Sequence, residues 1–267
     1  MLRSVFLKSI RDLRRGFVWW AVGLVGYVAM IVSVYPTIRD NPDLNKLVES
    51  YPEALKAFIA FGGQLDFTSA AGYLGSELFS FMFPALFLVA SVGNGAGSIA
   101  GEEERGTLDL LLSEPLSRTR IAVEKLGAMC VEVVGLGVVL WVALWIGARA
   151  FTMDVSAAHL AAATIVLVVL AITYGAVAFM LAAATGRKSL AVGVTVALAV
   201  GAYLVNSLAA LVDVLEPLQK LSPFYHYAAG DPLHRGLDPW HTLFLVAVGA
   251  AAAVVGVVLF GRRDVAA

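Results

Sequence analysis

Cysteine is almost missing from this 267-residue sequence. Cys130 stands alone, which excludes an intramolecular disulfide framework and any cysteine-rich metal site. Charge is also scarce, at 15% of residues against about 25% in a soluble domain. Nineteen Lys and Arg stand against 20 Asp and Glu, so the net charge is −1 and no overall basic field points to nucleic acid. Apolar residues fill the gap: 60% of the chain is hydrophobic and its mean hydropathy is +0.83. That excludes a water-soluble globular domain and a disordered chain, and leaves a polytopic membrane protein.

Runs nearly free of charge mark where the chain crosses the bilayer. They cover residues 17–35, 77–100, 121–148, 157–184, 190–212 and 240–261. About 20 apolar residues span a hydrocarbon core of roughly 30 Å as a helix. Alternation of apolar and polar residues is absent and Ala, Leu and Gly dominate, so the expected class is all-α with six transmembrane helices. The first run is too long for a signal-peptide core, and Ser33-Val34-Tyr35-Pro36 offers no small-x-small cleavage site, so it reads as a retained anchor.

Lys and Arg set the orientation. One side collects Arg3, Lys8, Arg11, Arg14, Arg15, Arg105, Arg118, Arg120, Lys125, Arg187, Lys188, Arg262 and Arg263; the other holds Arg39, Lys46, Lys56, Arg149, Lys220 and Arg235. Both termini are therefore expected in the cytoplasm. Residues 1–16 combine Leu2, Val5, Phe6, Ile10 and Leu13 at helical spacing with a basic face, the pattern of an amphipathic helix in the inner interface. Residues 36–71, punctuated by Pro42, Pro52 and Gly62-Gly63, are expected to form two short helices on the outer surface. Residues 214–239, broken by Pro217, Pro223, Pro232 and Pro239, are expected to form a re-entrant or interfacial outer element. Rows of small residues at Gly93, Gly97 and Gly101, at Gly193, Ala197 and Gly201, and at Gly249 and Ala253 suit close helix packing in lipid.

Catalytic constellations are missing. Thr185-Gly186-Arg187-Lys188-Ser189 echoes the end of a phosphate-binding loop, but Arg187 occupies the Lys slot and neither the leading Gly nor a strand precedes it. His226, His234 and His241 are irregularly spaced and read as solvated loop groups, so no metal site is assigned. Two acidic residues in the apolar runs are candidates for a functional role. Glu132 falls seven residues past Lys125, about 10 Å into the third span, where a carboxylate must face the bundle and find a partner. Glu77 lies near the outer end of the second, within reach of water.

The connection between the second and third spans is the most informative stretch. It reads Gly101-Glu102-Glu103-Glu104-Arg105-Gly106-Thr107-Leu108-Asp109-Leu110-Leu111-Leu112-Ser113-Glu114-Pro115-Leu116-Ser117-Arg118. A helix from about Glu102 to Leu112 would project charge into the cytoplasm, tuck Leu108, Leu111 and Leu112 against the bundle, and stop at Pro115. Ser117 is placed to cap the next helix. Such a knob suits a push from a soluble partner.

Here the sequence resembles the membrane subunits of ABC-2 type ABC transporters. The likeness rests on Glu102-x-x-x-Arg105-Gly106-Thr107-Leu108, Leu111-Leu112-Ser113-x-Pro115-x-Ser117-Arg118, Lys125, and the closing Phe260-Gly261-Arg262-Arg263-Asp264. Outer elements, including Tyr51-Pro52-Glu53, look like the subgroup that contains some copper-enzyme maturation permeases. The resemblance implies a connecting helix at residues 2–16 and a coupling helix within 102–116 that docks on a nucleotide-binding subunit. It further implies a path lined by the second and fifth spans, offering Phe79, Phe83, Phe87, Asn94, Tyr203 and Asn206. The chain would be a non-enzymatic permease in a prokaryotic plasma membrane, with no cofactor of its own. Two separate ATPase subunits would bind ATP and Mg, and a second permease copy or a paralogue would complete the complex. An apolar path implies export of a hydrophobic or amphipathic cargo such as a drug, lipid or peptide. The alternatives are a non-transporting module that relays force to outer partners, and a permease serving metalloenzyme maturation.

Overall fold

The computed structural model describes residues 4–41, 50–52, 55–56, 66–108, 116–209 and 211–263. Among these residues no strand occurs, and six helices are long and apolar enough to cross a membrane. They are α1 (Val5–Arg39), α3 (Met82–Glu104), α4 (Arg118–Ala150), α5 (Ala157–Thr185), α6 (Lys188–Leu208) and α10 (Pro239–Arg262). Short helices α2 (Ala70–Leu74), α7 (Glu216–Gln219), α8 (Pro223–Ala228) and α9 (Pro232–Arg235) lie between them. The all-α, six-span architecture expected from hydropathy is the one observed.

Contacts along the helices give their directions. Phe6, Phe17 and Val32 of α1 lie over Gly127, Gly135 and Gly147 of α4, so the two run parallel. Against α5, α4 is antiparallel: Met129 meets Gly175, Val168 meets Gly137, and Trp141 Nε1 donates to the Ala157 carbonyl at 3.0 Å. From Thr173 on Leu245 to Arg263 on Ala183, α5 and α10 run parallel. The spans therefore alternate. The start of α1, the end of α3, the start of α4, the α5–α6 link and the end of α10 share one end of the bundle, here called the basic end.

Alanine-rich α5 is the most deeply buried span and packs on α3, α4, α6 and α10. A helix that is apolar all round belongs at the centre of such a bundle. Its tightest contact is with α3. A Cβ on Gly95 would lie 2.2 Å from the Gly175 carbonyl oxygen, so only glycine allows these backbones to approach. The small rows singled out in the sequence do other things. Gly97 and Gly101 make room for the Lys188 side chain, Gly249 packs on Thr173, and Gly193, Ala197 and Gly201 lie exposed on α6.

Three boundaries differ from the sequence reading. The basic segment and the first span are one continuous helix, which runs on through Pro36 to Arg39. At about 1.5 Å per residue it is far longer than a ~30 Å hydrocarbon core. The second span begins at Met82 instead of Glu77. Pro84 cannot donate to Ser80, and the chain turns at Phe81 (φ −138°, ψ −48°) after a π-helical turn over Gly75–Phe79. The fifth span ends at Leu208. Much of the 36–71 segment, including 42–49 and 57–65, lies outside the described residues, and with it the two surface helices expected there. The 214–239 element folds back onto the bundle: Tyr227 is buried and its hydroxyl donates to the Phe79 carbonyl at 2.8 Å, while Ser222 Oγ donates to the Ala202 carbonyl at 2.9 Å.

Candidate functional site

At the basic end, the acidic stretch after the second span belongs to the span itself. Helix α3 continues through Glu104, and a two-bond left-handed cap ends it. The Gly106 N–H donates to the Glu103 carbonyl and the Thr107 N–H to the Glu102 carbonyl, each at 2.9 Å. Gly106 has φ +69°, a conformation open to glycine and costly for side chains that carry Cβ. The expected helix from about Glu102 to Leu112 is thus corrected: Glu102, Glu103 and Glu104 form the last turn of α3, and Gly106 separates them from Leu108. Leu111, Leu112 and Pro115 lie outside the described residues.

The glutamates do not all project from the bundle either. Glu102 is buried and pairs with buried Lys125 of α4 at 3.0 Å; the Thr107 hydroxyl donates to its other oxygen, and Arg105 stands 3.8 Å away. Half-buried Glu103 pairs with Arg263, beyond α10, above the left-handed turn at Gly186. Exposed Glu104 accepts from the Lys188 N–H at 2.9 Å and so caps α6. One turn of α3 is thereby tied to α4, α10 and α6. The physical cause is the position of the run: carboxylates at the end of an apolar helix satisfy themselves on the cations and the free N–H groups that end the neighbouring helices.

Similar ties hold the rest of this end. Ser117 caps α4 as expected, accepting from the Arg120 N–H at 3.3 Å. Glu124 receives the Phe6 N–H at 2.9 Å and the Ser4 hydroxyl at 3.2 Å, and pairs with Arg120 at 2.8 Å, which fixes the start of α1 to α4. Leu108 packs into the bundle as expected, within a cluster of Ile99, Ala122, Phe179, Ala183 and Phe260. The Arg105–Gly106 turn is exposed.

A polar cleft of about 240 Å³ opens beside this turn, bordered by Ser9, Asp12, Asn94, Ser98, Glu102, Arg105, Lys125 and Lys188 among others. A second, nearly apolar cleft of about 250 Å³ lies between α1 and α4, with Glu132 in its wall. Glu132 is buried and accepts from Asn94 Nδ2, a neutral amide.

The proposed path residues are spread widely. Phe79, Phe83 and Phe87 are sealed inside the bundle, Phe79 and Phe83 edge to face at 5.2 Å and Phe83 against Tyr27. Tyr203 packs on Phe81 and Phe224, and Asn206 receives Gln219 Nε2. Asn94 alone among the six borders one of the clefts described here. Glu77 is exposed in the π-helical turn. Missed from sequence was the part played by Arg263 and Lys188 as anchors for Glu103 and Glu104. The available signal was that three successive carboxylates at a span end require cations or free N–H groups, which the short 185–189 link and the chain beyond α10 supply.

The family described as "Multidrug efflux system permease Rv1217c, C-terminal domain" matches residues 2–261. The chain belongs to this family. Its coarse role follows: a multi-pass membrane protein of a transporter permease family, with nothing in that assignment pointing to an enzyme. A comparison with curated proteins gives no match. Within the family's matched length fall Glu102, Glu103 and Glu104 and the residues that line the two clefts.

Proposed function

We propose that the chain is the permease subunit of an ABC exporter of ABC-2 type, driven by ATP hydrolysis in two separate subunits that bind ATP and Mg. The basic end faces the cytoplasm of a prokaryotic cell, in keeping with its excess of Lys and Arg. A second copy or a paralogue completes the membrane part. The observation that carries this reading is the clamped end of α3. An ATPase that displaced the exposed Arg105–Gly106 turn would move α4, α6 and the end of α10 together, through Glu102–Lys125, Glu104–Lys188 and Glu103–Arg263. Work is then transmitted by contacts that differ between two states of the bundle. Cargo is hydrophobic or amphipathic, as the family description and the apolar α1–α4 cleft favour. A path between copies draws on Asn94, Tyr203 and Asn206 more readily than on the sealed Phe79, Phe83 and Phe87.

The test is to purify the chain with candidate ATPase subunits and measure cargo-stimulated hydrolysis in lipid. Arg105→Glu should leave assembly intact and remove the stimulation. Charge reversal at Glu102 or Glu103 is a poorer probe, because it would break the helix ties. Failure of every ATPase to co-purify, or full stimulation in Arg105→Glu, would refute the proposal.

A further inference from the structure

We infer that Glu132 is the charge-recognising group of a binding site for lipophilic organic cations, set between α1 and α4. The inference takes its biological sense from the export reading, but the binding itself requires no ATPase.

Glu132 is 7% exposed and, among the described residues, its one hydrogen-bond partner is the neutral amide of Asn94. Other buried or half-buried glutamates at the basic end have cations: Glu102 has Lys125, Glu103 has Arg263 and Glu124 has Arg120. Among the described residues no Lys, Arg or His pairs with Glu132. A carboxylate within a membrane span is costly unless a positive charge or a strong donor set meets it. One amide leaves that demand largely open.

The surroundings define what should meet it. The apolar cleft in whose wall Glu132 stands is lined by Ile10, Leu13, Phe17, Val131 and Gly135. Phe17 lies against Gly135, its ring 3.0 Å from where a Cβ would stand, so an aromatic ring is held beside the carboxylate's helix one turn away. Apolar surface, an aromatic ring and a single carboxylate together fit an amphipathic cation: the body fills the cleft, and the charge meets Glu132 with help from the ring. Across the Asn94–Glu132 bond lies the polar cleft, and Leu13 borders both. Nearby cations repel such a ligand and leave Glu132 as the group that attracts it: Lys125 and Lys188 border the polar cleft, and exposed Arg14 borders the apolar one.

The experiment uses the full chain in lipid nanodiscs and two probes. One is a labelled benzyl-hexyl-dimethylammonium ion; the other is its uncharged analogue with carbon in place of nitrogen. Glu132→Gln should weaken the cation by about tenfold or more and the neutral analogue by less than about twofold. Glu132→Asp should fall between, and Arg14→Ala should tighten the cation. Equal loss of both probes, or no loss of either, overturns the proposal, since a purely structural Glu132 would not separate them. Should Glu132→Gln fail to fold, carbodiimide labelling of Glu132 in the unaltered chain serves instead. Protection by the cation and not by the neutral probe supports the site, and absent protection overturns it. If the cation binds but never stimulates an ATPase, the export reading fails and this site stands. If the cation stimulates hydrolysis without Glu132-dependent binding, the site fails and the export reading stands.

Discussion

Replacing Lys125 by Met tests whether the end of α3 is held as described. Lys125 and Glu102 are both buried, with Nζ and Oε1 3.0 Å apart. At an effective dielectric of about 20, charges at that distance attract by about 5 kcal/mol before the cost of removing them from water. Without Lys125, Glu102 keeps the Thr107 hydroxyl and Arg105, but Arg105 is 3.8 Å away with a side chain 65% exposed. In near-aqueous surroundings that contact is worth about 1 kcal/mol. Removing one member of a buried pair generally costs about 3–5 kcal/mol. The remaining partners place Lys125→Met near the lower figure, about 3 kcal/mol, or roughly 6–12 °C in Tm. The assay is thermal unfolding in nanodiscs, with and without Glu102→Gln added. Gln keeps an acceptor for Thr107 and removes the orphan charge, so the double variant should recover most of the loss. A single variant that melts within about 1 °C of the parent, or a double variant less stable than the single one, would refute the reasoning.

Gly95→Ala should destabilise the α3–α5 contact by about 2 kcal/mol or more, because its Cβ would stand 2.2 Å from the Gly175 carbonyl oxygen and backbone must move; unfolding in nanodiscs measures it. Tyr227→Phe should cost about 1–2 kcal/mol in the same assay, since it leaves the Phe79 carbonyl without the hydroxyl that donates to it at 2.8 Å. His226 supplies a pH dependence. Its Nε2 faces the Lys220 carbonyl, which can only accept, so Nε2 carries the proton and Nδ1 accepts from His241 Nδ1–H at 2.9 Å. Burial pushes its pKa below the usual 6.5, His241 adds to that, and the Lys220 carbonyl opposes it. The unfolded chain therefore binds the proton more readily. Stability is full above pH 6.5 and falls as pH drops from there through the lowered value, and His226→Phe should flatten a Tm–pH curve over that window.

Much of the fold was legible because the cost of placing a residue in hydrocarbon is local. Six apolar runs, their alternation, the Ser117 cap and the burial of Leu108 follow from residues read a few at a time. The breaks were harder to place. Pro84 shifts the start of the second span to Met82, yet Pro36 is absorbed near the end of α1, and only the packing around each decides which proline interrupts a helix. The site was legible in its residues and not in its arrangement. A run of three glutamates reads as charge offered to water, and Gly106 gave the one local sign that the helix ends before Leu108.

The sequence by itself determined that this is a helical, membrane-crossing protein, since composition and hydropathy sum over neighbours in the chain. The tertiary structure decided that Glu102, Glu103 and Glu104 are anchors, that Phe79, Phe83 and Phe87 lie inside the bundle, and that Glu132 stands in the wall of an apolar cleft and bonds to Asn94 at the border of a polar one. Those outcomes depend on which helices lie side by side. A charge 23 residues away at Lys125, or 160 away at Arg263, becomes a partner only when packing brings it within 4 Å.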